Sequence, residues 1–311
     1  MDQERVDAFE SPVEVVVEEP QCVSGLAFLA LFLGATGIGF APIFVRLSEV
    51  GPVSTAFWRV FLAQPILWSI FWFQDKTHPN AAKPEVGKQM GWLLLAGSIF
   101  CFNMSIWHWS IHFTSVANAT IFSNMAPIFV TLVGYFLLKE RVTLLFIVGL
   151  GLTLTGAFLI GGNSFSLGWD NLFGDLLGVL TAFFYGSYLM TVNHVRGRFS
   201  APTVMAFAGV ASVFWLSMLA PLTESNVIPQ STEGWLSVLG LAMVSHVMGQ
   251  GMIAYGLGHL PTSLSSVILL FQPVVAAVAA WILLNEPMQT LQMFGGLVVL
   301  LGIYTAKRGA I

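Results

Sequence analysis

One arginine, three histidines and a few amides stand inside long apolar runs of this 311-residue chain. Arg59 is the one strong base well inside such a run, about two turns into its segment. A guanidinium there can hold a carboxylate or a phosphate. The alternatives are that it snorkels to the headgroups or pairs with Glu49 or Asp175. Cys101, Ser105, His108 and His112 form one stripe at helical spacing. His108 and His112 have the spacing of a metal pair, but a third ligand and the general-base glutamate of a zinc hydrolase are missing. No metal and no cofactor is therefore expected. His108 is read as a titrating or solute-bonding group, and His112 as a solvated one. Thr120, Asn124, Pro127 and Thr131 share a face, with Asn118 and Ser123 beside it. An amide facing lipid is costly, so this face points into the bundle, for helix–helix hydrogen bonding or for solute binding. Further along come Tyr185, Tyr188 and Thr191, then His246 and Gln250, then Gln272 beside Pro273. Pro127 and Pro273 each free the carbonyl four residues earlier, at Ser123 and Leu269. Paired helix breaks of this kind mark solute sites in transporters.

The elements that position these groups follow from composition. Only 9% of residues are charged and 56% are apolar, with formal charge −4 and mean hydropathy +0.80. A soluble domain carries about 25% charged residues. The balance excludes a cytosolic enzyme, a nucleic-acid binder and a disordered chain. The apolar stretches run about 20 residues without alternation, which excludes an outer-membrane barrel. Ten of them are predicted, at roughly 24–45, 53–73, 90–111, 115–138, 143–161, 172–193, 202–221, 235–257, 262–284 and 289–306. The expected fold is all-α and polytopic. Residues 1–22 form an acidic tail with seven carboxylates and one arginine before residue 20, read as solvated and disordered. Cys22 and Cys101 cannot build a disulfide framework.

With the N-terminus inside, Arg5, Lys76, Lys83, Lys88, Lys139, Arg141, Arg196, Arg198, Lys307 and Arg308 all lie on the cytoplasmic side. These are ten of the twelve Lys and Arg residues. The positive-inside rule thus places both termini in the cytoplasm. The chain also repeats. At an offset of 146, Pro127 falls on Pro273, Leu138 on Leu284, Glu140 on Glu286, Gly149 on Gly295 and Gly156 on Gly302. At an offset of 150, Arg46 meets Arg196 and Pro52 meets Pro202. Two units follow, 23–162 and 170–308, each of five helices. Five is odd, so the second unit enters the membrane from the opposite side, a plan that suits two halves rocking about a central site. Gly149, Gly156, Gly295 and Gly302 predict close packing of helices 5 and 10 as scaffold. Glu140 and Glu286 are expected to cap the starts of those helices.

The run Phe40-Ala41-Pro42-Ile43-Phe44-Val45-Arg46 followed by Ala56-Phe57-Trp58-Arg59 resembles the start of an EamA-type unit. So does Ser115-Val116-Ala117-Asn118-Ala119 leading through Pro127 to Lys139-Glu140-Arg141, and Pro273 leading to Asn285-Glu286-Pro287. The likeness, over about residues 25–306, is to ten-helix members of the drug/metabolite transporter superfamily with two EamA domains. It implies a small-metabolite permease in the inner membrane, often an exporter of amino acids or related compounds. Arg59 would hold an anionic group. A coupled proton would fall to a histidine, His108 or His246, to an acid at a helix end or to the solute, and a facilitated uniporter would need none. The expected partners are the solute and the lipid bilayer, with no nucleic acid. No ATP-binding motif is present. Two rival readings are a membrane enzyme using His108 and His112, and a sensor or accessory subunit that docks a partner through the acidic tail.

Overall fold

The structure is a computed structural model. It describes residues 25–77, 82–114, 116–137, 139–161, 168 and 171–310; the acidic tail and Cys22 lie outside the described residues. Among these residues ten helical spans are long and apolar enough to cross a membrane. They are α1 Gly25–Arg46, α2 Pro52–Thr77, α3 Lys88–Phe113, α4 in two pieces Val116–Ser123 and Ala126–Phe136, and α5 Leu144–Gly161. The second half has α6 Leu172–Arg196, α7 Ala201–Thr223, α8 Thr232–Leu257, α9 in two pieces Thr262–Leu269 and Gln272–Leu284, and α10 Thr290–Gly309. The predicted count and order hold.

Helices win because lipid offers backbone amides no partner, and an α-helix satisfies them within one segment. Their ends are closed locally. Ser200 and Ser231 accept from the backbone N–H of Thr203 and Gly234, at 3.4 and 3.0 Å, as N-caps do. Gln289 and Gln292 form a capping box at the start of α10. Two acids cap across the halves. Glu224, after α7, accepts from the backbone N–H groups of Val53 and Ser54 at 2.6 and 2.8 Å, at the start of α2. Glu49, after α1, accepts from the backbone N–H groups of Gln230 and Ser231 at 3.1 and 3.0 Å, before α8.

The expected caps at Glu140 and Glu286 are not there. Helix α5 starts at Leu144, where Thr143 Oγ1 accepts from Phe146 N–H at 3.1 Å. The glutamates sit earlier, in the turns that end α4 and α9. These turns match in detail. Lys139 and Asn285 are the two non-glycine residues with positive φ, 55° and 53°, among those described. The next amide reaches back six residues in both, Glu140 N–H to Gly134 O at 3.0 Å and Glu286 N–H to Ala280 O at 3.3 Å. The offset of 146 therefore holds in backbone conformation as well as in residue type.

Helices α5 and α10 pack through their glycines, as expected. A Cβ on Gly156 would lie 2.6 Å from the Gly295 carbonyl, and one on Gly295 would lie 2.8 Å from the Gly156 carbonyl. Thr153 and Gly149 face Gly302. On the far side of α10, Leu297 and Leu301 are each 61% exposed, a face fit for lipid. Thr153 Oγ1 turns to its own helix, donating to Gly149 O at 2.7 Å.

Two features escaped sequence reasoning. Helix α1 is interrupted at Phe40, and a short second piece restarts at Ala41 with Pro42 near its N-terminus. The interior of α8, Leu241–Gln250, is wound as a π-helix. Such wide turns leave local backbone irregular and recur at functional sites.

Candidate functional site

The π-wound stretch carries His246 and Gln250 into the middle of the bundle, where both are buried. Arg59 comes from α2, Phe100 from α3, and Tyr185 and Tyr188 from α6, one turn apart. The Arg59 guanidinium lies 5.9 Å from the centre of the Phe100 ring and donates one long bond, 3.4 Å, to the Ser245 carbonyl. Phe100 also meets Tyr188 at 5.1 Å and His246 at 5.8 Å between ring centres. The Tyr188 hydroxyl donates to Gln250 Oε1 at 3.5 Å. Residues as far apart in the chain as Arg59 and Gln250 thus meet in one aromatic-walled cluster.

Its electrostatics are unbalanced. Arg59 is 4% exposed, and its Nε has no partner among the described residues. The acids nearest in expectation are engaged elsewhere. Glu49 caps α8, and Asp175 accepts from Thr114 Oγ1 at 2.6 Å and Asn118 Nδ2 at 2.9 Å. The ion pairs among the described residues are Arg46–Glu286 and Lys83–Asp75. Both ring nitrogens of His246 also lack a partner there. A buried cation without an anion is costly, and buried polar atoms are nearly always bonded. The cluster therefore holds a buried cation and hydrogen-bonding atoms that no described residue satisfies.

A second set of residues joins it through Tyr185. The breaks in α4 and α9 face each other, with Ser123, Asn124 and Pro127 on one side and Ser266, Leu269 and Gln272 on the other. Tyr185 and Leu189 close the third side, and Tyr185 lies parallel to Tyr188 at 6.2 Å. Between them is a cavity of about 20 Å³, room for about one water and far below the 300–1,000 Å³ of a ligand pocket. Proline lacks an N–H, so neither Ser123 O nor Leu269 O has the usual helical donor. Gln272 Nε2 is buried without a partner among the described residues.

The breaks also separate an open end from a closed one. Two faces can be named by the arginines that mark them: the Arg46 face, with the turns after α1, α3, α7 and α9, and the Arg196 face, with those after α2, α4, α6 and α8. Residues 120–124 of α4 lie toward the Arg46 face and are half-buried; their counterparts 266–270 of α9 lie toward the Arg196 face and are fully buried. The other halves reverse this. Ala126, Pro127, Val130, Thr131 and Gly134 are buried, whereas Gln272, Pro273, Ala276, Ala277 and Ala280 are not. The second piece of α4 packs on the first piece of α9, whereas the first piece of α4 makes no comparable contact with the second piece of α9. Helices α4 and α9 are thus pressed together on the Arg196 face and parted on the Arg46 face.

Of the candidates, Arg59, Tyr188, His246 and Gln250 meet in the first cluster, while Tyr185, Asn124, Gln272 and the two prolines meet at the breaks. Asn118 is buried apart from both, donating to Asp175. The side chains of His108 and His112 lie outside the described residues. Phe100 and Ser245 were missed. An apolar ring and a backbone carbonyl carry no sequence signal for a polar site, and only the packing around Arg59 exposes them.

Comparison with known proteins places the chain in a family. The profile of the EamA-like transporter family matches residues 25–162 and again 172–306. An uncharacterized transporter of Archaeoglobus fulgidus is 25% identical over 286 residues, 90% of this chain and 96% of that protein. The uncharacterized transporter YetK of Bacillus subtilis is 21% identical over 257 residues, 79% of this chain and 75% of that protein. One solved crystal structure superposes with a TM-score of 0.79 at 16% identity, over 91% of this chain and 96% of that one, a likeness of fold. The chain belongs to the EamA-like transporter family, within the drug/metabolite superfamily, and is a multi-pass membrane transporter.

Proposed function

We propose that this transporter exports a small polar or amphipathic metabolite carrying a carboxylate, such as an amino acid or derivative, across the inner membrane by alternating access. The observation that carries the reading is Arg59, buried without a counter-ion among the described residues, at a junction of aromatic rings and unsatisfied polar groups. Arg59 holds the anionic end of the solute. His246, Gln250 and Tyr188 bond its neighbouring polar groups, and Asn124 and Gln272 bond the portion between the helix breaks. Phe100 and Tyr185 cover its apolar part. The bilayer sidedness follows the basic residues, with both termini and the Arg196 face cytoplasmic. The contrast between the parted and pressed ends of α4 and α9 supports a state open toward the Arg46 face. Export as the direction follows from the family resemblance. A proton, where one is coupled, is carried by His246 or by the solute, because no carboxylate stands at the centre of the spans.

The test uses proteoliposomes loaded with a whole metabolite extract, with and without a pH gradient. Mass spectrometry reads which solutes leave beyond protein-free controls. Selective loss of a few carboxylates is expected. Selective loss of cations alone, or no selective loss from folded protein, overturns the assignment.

A further inference from the structure

The two matched turns after α4 and α9 share backbone form but not partners. Glu286 pairs with Arg46, at the end of α1. Their counterparts in the other half are Glu140 and Arg196, the latter at the end of α6. These do not pair. Arg196 donates instead through Nε to the Ala254 carbonyl of α8 at 2.8 Å and also bonds the Phe199 carbonyl. Glu140 folds back over Gly134 of its own helix, and its Oε2 is buried with no partner among the described residues. A buried carboxylate oxygen left unbonded is expensive. The cost needs a reason, and the parting of α4 and α9 supplies one.

On the Arg46 face the ion pair ties the outer end of α9 to α1, where α9 stands away from α4. On the Arg196 face the end of α4 is pressed to α9, and the equivalent tie from α4 to α6 is broken. In an inverted repeat, exchanging the conformations of the two halves produces the state that faces the other way. We infer that Arg46–Glu286 and Arg196–Glu140 are alternating ties: each holds its end of the bundle open, and only one is made at a time. The structure holds the first. In the state open to the Arg196 face, Arg196 leaves the Ala254 carbonyl, takes Glu140 and draws the end of α4 toward α6, while Glu286 leaves Arg46 and α9 closes on α4. The inference rests on the alternating-access reading and adds to it the residues that set the balance between the two states.

The experiment places a reporter, Ser123→Cys, in the cavity of the full-length chain with Cys22→Ser and Cys101→Ser. Membrane-impermeant thiol reagent is applied from either side of vesicles whose sidedness is read from a separate Ser48→Cys variant. Glu286→Gln should slow labelling from the Arg46 face and speed it from the Arg196 face, each about two- to fivefold, the range an exposed ion pair supports. Glu140→Gln should shift labelling the opposite way. The exchanged pair Arg46→Glu with Glu286→Arg should restore the parent pattern, which a general loss of folding would not. Labelling from both faces that neither glutamine variant shifts, or that both shift alike, overturns the alternating ties and leaves alternating access standing. A reporter that never labels from the Arg196 face in any variant overturns alternating access, and the ties with it.

Discussion

Replacing Arg59 by glutamine separates a structural arginine from a solute-binding one. A structural buried ion leaves its partner charged and unpaired when removed, which costs about 3–5 kcal/mol. Arg59 has no such partner among the described residues. What the glutamine loses is one long bond to Ser245 O at 3.4 Å and the contact with the Phe100 ring at 5.9 Å. The first, charge-assisted but long, is worth about 1.5 kcal/mol at most, and the second about 0.5–2 kcal/mol. Relief of an unpaired buried charge offsets part of that. Stability in detergent should therefore change by less than about 2 kcal/mol. Affinity for an anionic solute should fall much further. A hydrogen bond to a charged group contributes about 1.5–3 kcal/mol, and every 1.4 kcal/mol is tenfold in Kd, so the expected loss is about 10- to 150-fold. The assay is solute-dependent thermal stabilisation, read beside the melting of the solute-free protein. An unchanged Kd for the anion, or a solute-free protein destabilised by more than about 3 kcal/mol, would refute the reasoning.

Three further outcomes follow from the geometry. Gly156→Val should destabilise the protein by about 1–3 kcal/mol, because the Gly295 carbonyl lies 2.6 Å from where a Cβ would sit and α10 must move out; melting temperature checks it. Pro127→Ala or Pro273→Ala returns an N–H to Ser123 O or Leu269 O, so the fold should hold or gain up to about 1 kcal/mol while solute release slows; faster release would count against the breaks as part of the site. Hydrogen bonds from the Ser231 hydroxyl and from the backbone N–H groups of Ser231 and Gln230 hold the Glu49 carboxyl below its usual range. Its stabilising effect is present above the unfolded value near ~4.3 and is lost as pH falls through the lower folded value. Melting curves of the parent and Glu49→Gln should therefore differ at neutral pH and converge in acid, and a constant gap down to pH ~3 would exclude this role.

Much was legible in the chain itself because lipid imposes a simple rule. Ten spans, their boundaries within a few residues, the charge asymmetry between faces and the glycines of α5 and α10 are one-dimensional features. Each depends on what a single segment offers lipid or one neighbour. The breaks at Pro127 and Pro273 belong with them, since proline acts on its own helix. Pro42 shows the limit: the same chemistry breaks α1 there, yet with no matching proline in α6 nothing in the sequence singled it out.

What only the tertiary structure decided is pairing. The sequence showed Arg59, Glu49 and Asp175 but not that the two acids are spent on caps and amides, leaving the arginine without an acid among the described residues. It showed Glu140 and Glu286 as equals, and a helix-capping role suited both; the fold pairs one with Arg46 and leaves an oxygen of the other unbonded. The physical reason is the same in each case. Burial and covalent spacing are local, whereas the partner of a charge is set by helices far apart in the chain, and two repeats of nearly the same pattern need not occupy the same conformation. Inverted repeats make that difference a matter of packing alone, which no single segment records.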